Sequence, residues 1–300
     1  MTDDGYFPRS SSILRRVHSE RAVGFLFGQR ALMLGAMIAP LAYYGTASHT
    51  AARSTPFQRL VHTAHMFEAV FFGTREEADE ALAFVYRLHS KVNGELPERL
   101  GPWPAGTTYS ALDPELMFKG VVASTFDSAQ AIHEALVRRL SDEEREELYQ
   151  DYVRFGELFG MPRGAAPPSY EEFRRWWGEH LEADEVFLTE EAKWAGYMTG
   201  FEIPVPRLNQ PAMRVLEFLL RGTLPHRARE LYGLRWSRLD QRVFDALTRA
   251  IRRGAPIAPG LVRRGNCACF YDLVAKEERR RIRSGRPTPT YESIEAKIAA

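Results

Sequence analysis

The stretch SDEEREELYQDYVRFGELFGMP, residues 141–162, is punctuated at both ends as a single helix. Ser141 and Glu144 form a capping box, in which each side chain takes a backbone N–H that the first helical turn leaves unpaired. The helix runs to about Phe159, and Gly160 and Pro162 end it. Working outward, Ser169 with Glu172 opens another helix through Trp176 and Trp177, and Asp113 followed by Pro114 is a cap with proline at the first turn. Period-two alternation bounded by turn residues is almost absent, so the chain reads as all-α, a single multi-helix globular domain. The longest irregular connection is the loop from Asn93 to Thr108, rich in glycine and proline. No internal repeat, sustained heptad or Gly-Ser linker divides the chain. The expected organisation is a helical domain over residues 1–275 and a basic tail over 276–300, in which RRRIRSGRPTP (279–289) reads as a solvated segment.

With 45% apolar and 12% aromatic residues in 300, the chain is long enough to bury a sizeable core. Forty basic residues nearly balance 39 acidic ones, which removes the global field that gathers nucleic acid, and no nucleic-acid partner is expected. The balance is uneven, because His226 to the C-terminus holds 17 basic and 8 acidic residues. Cys267 and Cys269 make no disulfide framework and lack the second ligand pair of a zinc knuckle, so the expected compartment is the cytoplasm. The first thirty residues carry Arg15, Arg16, Glu20 and Arg21 where a signal peptide needs an apolar run. The uncharged stretch Ala31 to Ala52 is interrupted by Gly35, Pro40 and Gly45, which predicts a buried helix broken at Pro40 rather than a membrane span. Membrane contact is not predicted.

Chemistry first shows between Phe57 and Phe72. At about 100° per residue, Arg59, Thr63, Met66 and Val70 share one helical stripe, with Glu68 opposite. An arginine on an apolar stripe either pairs with an anionic group or snorkels to solvent, and the pattern leaves both open. In the next helix, Arg75 to Val92, one stripe holds Ala78, Ala81, Leu82, Val85, His89 and Val92. His89 there is either a satisfied core histidine or a ligand, since an unpaired buried ring nitrogen costs about 1–3 kcal/mol. His62, His65 and Glu68 drift too far around the axis for one metal ion to gather all three, and read as a solvated polar flank. The chain has no HExxH, no repeated Glu-x-x-His, no GxGxxG after a strand, no P-loop and no GxSxG. Zinc protease, di-iron bundle, dinucleotide, nucleotide triphosphate and α/β-hydrolase readings are discounted accordingly.

At these helices the chain resembles the MpaB-type oxygenases, whose catalytic domain is shared with the rubber oxygenases called latex clearing proteins. The resemblance spreads over GQRALMLGAMIAPLAYYG (28–45), RLVHTAHMFEAVFFGTREEAD (59–79), RLHSKVNG (87–94), YSALDPEL (109–116), LSDEEREELYQDYVRFGELFGMP (140–162) and LPHRARELYGLRWS (224–237), in that order. It implies an α-helical b-type haem protein that uses dioxygen to cleave an isoprenoid double bond. By the same resemblance His89 is the proximal iron ligand. Arg59 and Thr63, four apart, lie over the haem, where Thr63 bonds an iron-bound oxygen and Arg59 meets a propionate or polarises the ligand. His62 lines the distal pocket. The chain departs from the family's pattern at Ala39 and Val122, where many small bacterial relatives carry histidines.

The expected function is therefore a haem b (iron) dependent oxygenase acting with dioxygen on a small or medium apolar substrate. The alternatives are a cofactor-free helical binding or scaffold protein with the same fold, and a haem enzyme with non-oxygenase chemistry.

Overall fold

In the computed structural model, Ser141 and Glu144 form the reciprocal cap, and the helix they open, Asp142–Leu158, stops where Gly160 turns to φ 91°. The structure describes residues 5–48, 56–265 and 267–286, with the side chains of 46, 56, 268 and 269 left aside. Within these the helices are α1 (Ile13–His18), α2 (Arg21–Ile38), α3 (Pro40–Ser48), α4 (Pro56–Phe72), α5 (Arg75–His89), α6 (Pro114–Met117), α7 (Ser124–Leu136), α8 (Asp142–Leu158), α9 (Tyr170–Leu181), α10 (Glu190–Phe201), α11 (Gln210–Thr223), α12 (His226–Leu231), α13 (Arg238–Gly254), α14 (Gly260–Arg263) and α15 (Ala268–Arg283). The all-α expectation holds. The expected caps also form: Asp113 accepts from the Leu116 N–H at the start of α6, and Ser169 accepts from that of Glu172 at the start of α9. One feature escapes the pattern. In the loop 93–108, β1 (Asn93–Glu95) pairs antiparallel with β2 (Thr108–Ser110), strands too short to show periodicity in the sequence.

The break at Pro40 is real. α2 ends at Ile38, Ala39 leaves helical geometry at φ −134°, and α3 restarts with proline in its first turn. The carbonyl of Ile38, at the end of α2, takes a hydrogen bond from Nε2 of buried His180 at 3.1 Å. Because a carbonyl only accepts, that ring nitrogen carries the proton.

α2 is the hub of the fold. α7 and α10 pack along it, with α1, α3, α11, α12 and α14 around them. Fully buried aromatics lock the far side of α7: Phe126 meets Tyr149, Tyr152 and Phe173 edge-on at 5.2, 5.8 and 4.9 Å. α1 joins this core through His18, whose Nε2 lies 2.5 Å from the Tyr152 hydroxyl. Between α6 and α7, residues Phe118–Ala123 widen into a π-helical turn that holds Lys119 between Glu115 (2.6 Å) and Glu185 (2.8 Å). Such a widened turn shifts side chains around the helix axis.

α15 runs through residue 276, where the sequence reading begins a tail, and keeps Glu277 and Glu278 buried. Residues 287–300 of that tail lie outside the described residues, as do 49–52 of the uncharged stretch. Among the described residues no helix is long and apolar enough to cross a membrane.

Candidate functional site

The start of α4 is placed against α2 and α15, whose register follows from their contacts. α2 and α15 start together, since the Gly265 N–H donates to Ser19 and Tyr271 Oη donates to the Gly24 carbonyl at 2.7 Å. α4 runs antiparallel to α15. The Cys267 N–H meets Glu68, His65 meets Asp272, and Glu278 accepts from the backbone N–H groups of Phe57 and Gln58 at 3.1 and 2.9 Å. At 1.5 Å per residue, this register sets Leu32 of α2 level with Arg59 and Thr63 of α4. Leu32 is 39% exposed although it lies on the hub helix, so the middle of α2 reaches solvent.

Arg59 and His89 come together at this level from two helices. Arg59 is accessible to solvent yet sits among so many protein atoms that burial lowers its pKa, the signature of a side chain lining a concavity. The guanidinium stays protonated all the same. His89 is half-buried; burial first, and then the Arg59 charge, lower its pKa, so its imidazole is neutral at pH 7. Tyr43 of α3 completes the group. Burial pushes its hydroxyl up to about 12, Arg59 pulls it down, and Glu191 at the start of α10 pushes it up again. Thr63, one turn from Arg59 on the same stripe, is accessible, whereas Met66 is half-buried and Val70 is in the core. The stripe thus passes from core to solvent along its length, with Arg59 at its open end.

α5 ends at His89, not at Val92. Ser90 caps it, and its hydroxyl donates back to the Arg87 carbonyl while Asn93 donates to Ser90 as the chain leaves for β1. His89 consequently stands on the last helical turn, where the stripe opens to solvent. His62 is exposed. The flank is polar and open to solvent, as read, and its inner edge also meets α15: His65 lies 3.3 Å from Asp272 and 3.9 Å from Glu68. Among the described residues no three His, Cys, Asp or Glu side chains form a metal cage. The two departures from the family pattern are apolar packing positions. Ala39 lies over Gly120 and Val122 over Gly156, both buried. Cys267 is buried too, with its sulfur against Gly24.

Sequence reasoning missed Tyr43, Glu191 and Glu278. Tyr43 was hidden within an apolar stretch, while Glu191 and Glu278 look like ordinary helix-surface carboxylates until α10 and α15 are docked.

Residues 15–253 match the family described as "ER-bound oxygenase mpaB/B'/Rubber oxygenase, catalytic domain". The chain belongs to this family. Two relatives of this MpaB/rubber oxygenase member, from Mycobacterium bovis and Mycobacterium tuberculosis, are each 27% identical over 233 residues, 77% of this chain and 86% of theirs. Both are described as uncharacterized. No solved structure matches the chain. The family match stops at the end of α13, so α15, which holds the start of α4 through Glu278, lies outside the matched residues.

Proposed function

We propose that this MpaB/rubber oxygenase member is a b-type haem-dependent oxygenase that acts with dioxygen on a small or medium apolar substrate, with His89 as the iron ligand. The observation that carries the reading is the convergence of His89 and Arg59, from consecutive helices, where each is shielded by surrounding protein yet reaches solvent. The donor set fits the group. A ligating histidine must be neutral, and burial together with Arg59 keeps His89 so. A haem propionate needs a cation, and Arg59 supplies one at the open end of its stripe. When bound, haem supplies an iron centre at which dioxygen is activated.

The chain's own residues do the rest. Arg59 sets a positive potential around it, which favours negative charge developing there. The Thr63 hydroxyl offers a hydrogen-bond donor one turn away, and His62 lies on the adjacent flank of α4 as a second polar group. Tyr43, whose pKa burial pushes up to about 12, keeps its hydroxyl proton and offers it as a hydrogen-bond donor. The apolar positions Leu32, Met66 and Val85 favour a hydrophobic substrate and limit water at the site. A cytoplasmic location accords with the cysteine usage.

The test is the visible spectrum of protein from iron-replete cells, followed by a pyridine haemochrome assay. The expected result is a Soret band with near-stoichiometric haem b in the parent, and loss of most of it in His89→Ala. Full retention of haem by His89→Ala overturns the ligand assignment. A colourless parent that takes up no added haem overturns the cofactor.

A further inference from the structure

α13 carries two apolar stripes, and the fold uses only one of them. Phe244, Leu247, Thr248 and Ile251 turn inward towards α7 and α11. Leu239, Val243, Ala246 and Ala250 recur at helical spacing about a third of a turn away, and all four are exposed. Just past the helix the chain turns, and Ile257 and Leu261 stand 85% and 91% exposed. Side chains of this size left almost wholly in water are costly, and several in one region mark a contact surface.

Along the chain on either side of Ile257 and Leu261 the charged side chains are all basic. From Asp245 to Asp272 no carboxylate intervenes, while Arg249, Arg252, Arg253, Arg263 and Arg264 fall within that span. Glu20 meets Arg263 and Arg264 at 3.1 and 3.4 Å and offsets part of their charge. Arg252 donates to the carbonyls of Glu134 and Ala135, and Arg249 to that of Asp245, contacts that orient the guanidinium groups without neutralising them.

We infer that this surface docks on an anionic phospholipid bilayer, with Ile257 and Leu261 entering the boundary between headgroups and acyl chains and the arginines meeting lipid phosphates. Apolar side chains on an exposed turn, flanked along the chain by arginines, are what an interfacial contact requires. Guanidinium groups suit phosphate because their planar fork binds two oxygens at once. A second copy of the chain is a poorer occupant. A stable dimer needs a broad complementary face of about 800 Å² on each partner, and across such a face the arginines of two copies would oppose one another. The contact is peripheral, since no described helix is long and apolar enough to span a bilayer.

The experiment is co-sedimentation of the full chain with phosphatidylcholine vesicles, with and without phosphatidylglycerol, over a range of salt. The expected result is binding to the phosphatidylglycerol vesicles that weakens as salt rises. Ile257→Asp with Leu261→Asp should lower the partition coefficient by more than about tenfold. Arg249→Gln with Arg253→Gln should lower it by about fivefold per charge removed. All four positions are exposed, so circular dichroism should match the parent's. Should the aspartate pair disturb folding, the glutamine pair still decides the matter. No binding to phosphatidylglycerol vesicles overturns the inference, as does binding that both pairs leave intact. Self-association by sedimentation velocity that Leu261→Asp abolishes, without vesicle binding, makes the surface an interface between copies and overturns it too.

Discussion

His18 and His89 both have lowered pKa values, yet they belong to different kinds of region. His18 is 4% exposed, hydrogen-bonded to Tyr152, and packed against Phe27 and Phe71 at ring distances of 4.5 and 4.7 Å. Its polarity is satisfied inside the chain, and its work is to fasten α1 to the core. His89 is half-buried at a helix end, and its neighbour is a cation, which no histidine needs as a structural partner. A lowered pKa alone does not separate the two, because burial is the leading cause in both. Access and the charge of the neighbour separate them: a core holds a polar group with a matching partner, while a site leaves one facing a space.

The largest expected effect is on stability at His18. His18→Ala removes a packed ring and strands the Tyr152 hydroxyl, and should cost about 3–5 kcal/mol in urea unfolding. His89→Ala in cofactor-free protein should cost no more than about 1 kcal/mol. Equal costs would erase the contrast between the two regions.

Acid should test the core region next. His18 and His133 have pKa values near 3 and 4 when folded, against 6.5 as the ordinary value. A lowered histidine pKa means that the unfolded chain binds protons first. Their contribution is therefore complete above pH 6.5 and falls as pH drops below it, by up to about 1.4 kcal/mol per pH unit for each histidine. Urea midpoints between pH 7 and 4.5 measure this, and in His18→Ala the decline should be shallower.

The seam between α4 and α15 comes third. Glu278 is buried and accepts from two N–H groups at the start of α4, although burial pushes its carboxyl pKa up. Glu278→Ala should cost about 1–3 kcal/mol, because those N–H groups lose their partner. Glu278→Gln, which keeps one acceptor, should cost less. Last, Arg59→Met should raise the His89 pKa towards the ordinary histidine value and leave that of His18 unchanged, read as histidine ring shifts by NMR in cofactor-free protein. Movement of both, or of neither, would show that Arg59 does not act locally on His89.

The helix boundaries that were legible were so because capping is local. Ser141 with Glu144, Ser169 with Glu172, Asp113 with Pro114 and the break at Pro40 each depend on residues within one turn of one another. The exception is instructive: the periodic stripe continued to Val92, but Ser90 and the pairing of Asn93 with Ser110 stop α5 at His89. The small sheet was invisible because three residues a strand cannot establish a period.

The site was legible by halves. Spacing placed Arg59 and Thr63 on one stripe and His89 on another, and resemblance to the oxygenase family joined them, but periodicity along one helix carries no information about the distance to the next. Sequence by itself determined that the chain is helical, where its capped helices begin, and which faces of the helices it read are apolar, since these follow from hydrogen bonds and burial within a few residues. Only the tertiary structure decided that Arg59 lowers the pKa of His89, that Tyr43 and Glu191 share their neighbourhood, and that Glu278 caps α4 from 220 residues away. Those relations depend on how helices dock and on the desolvation that docking imposes, and neither exists until the chain has closed around α2.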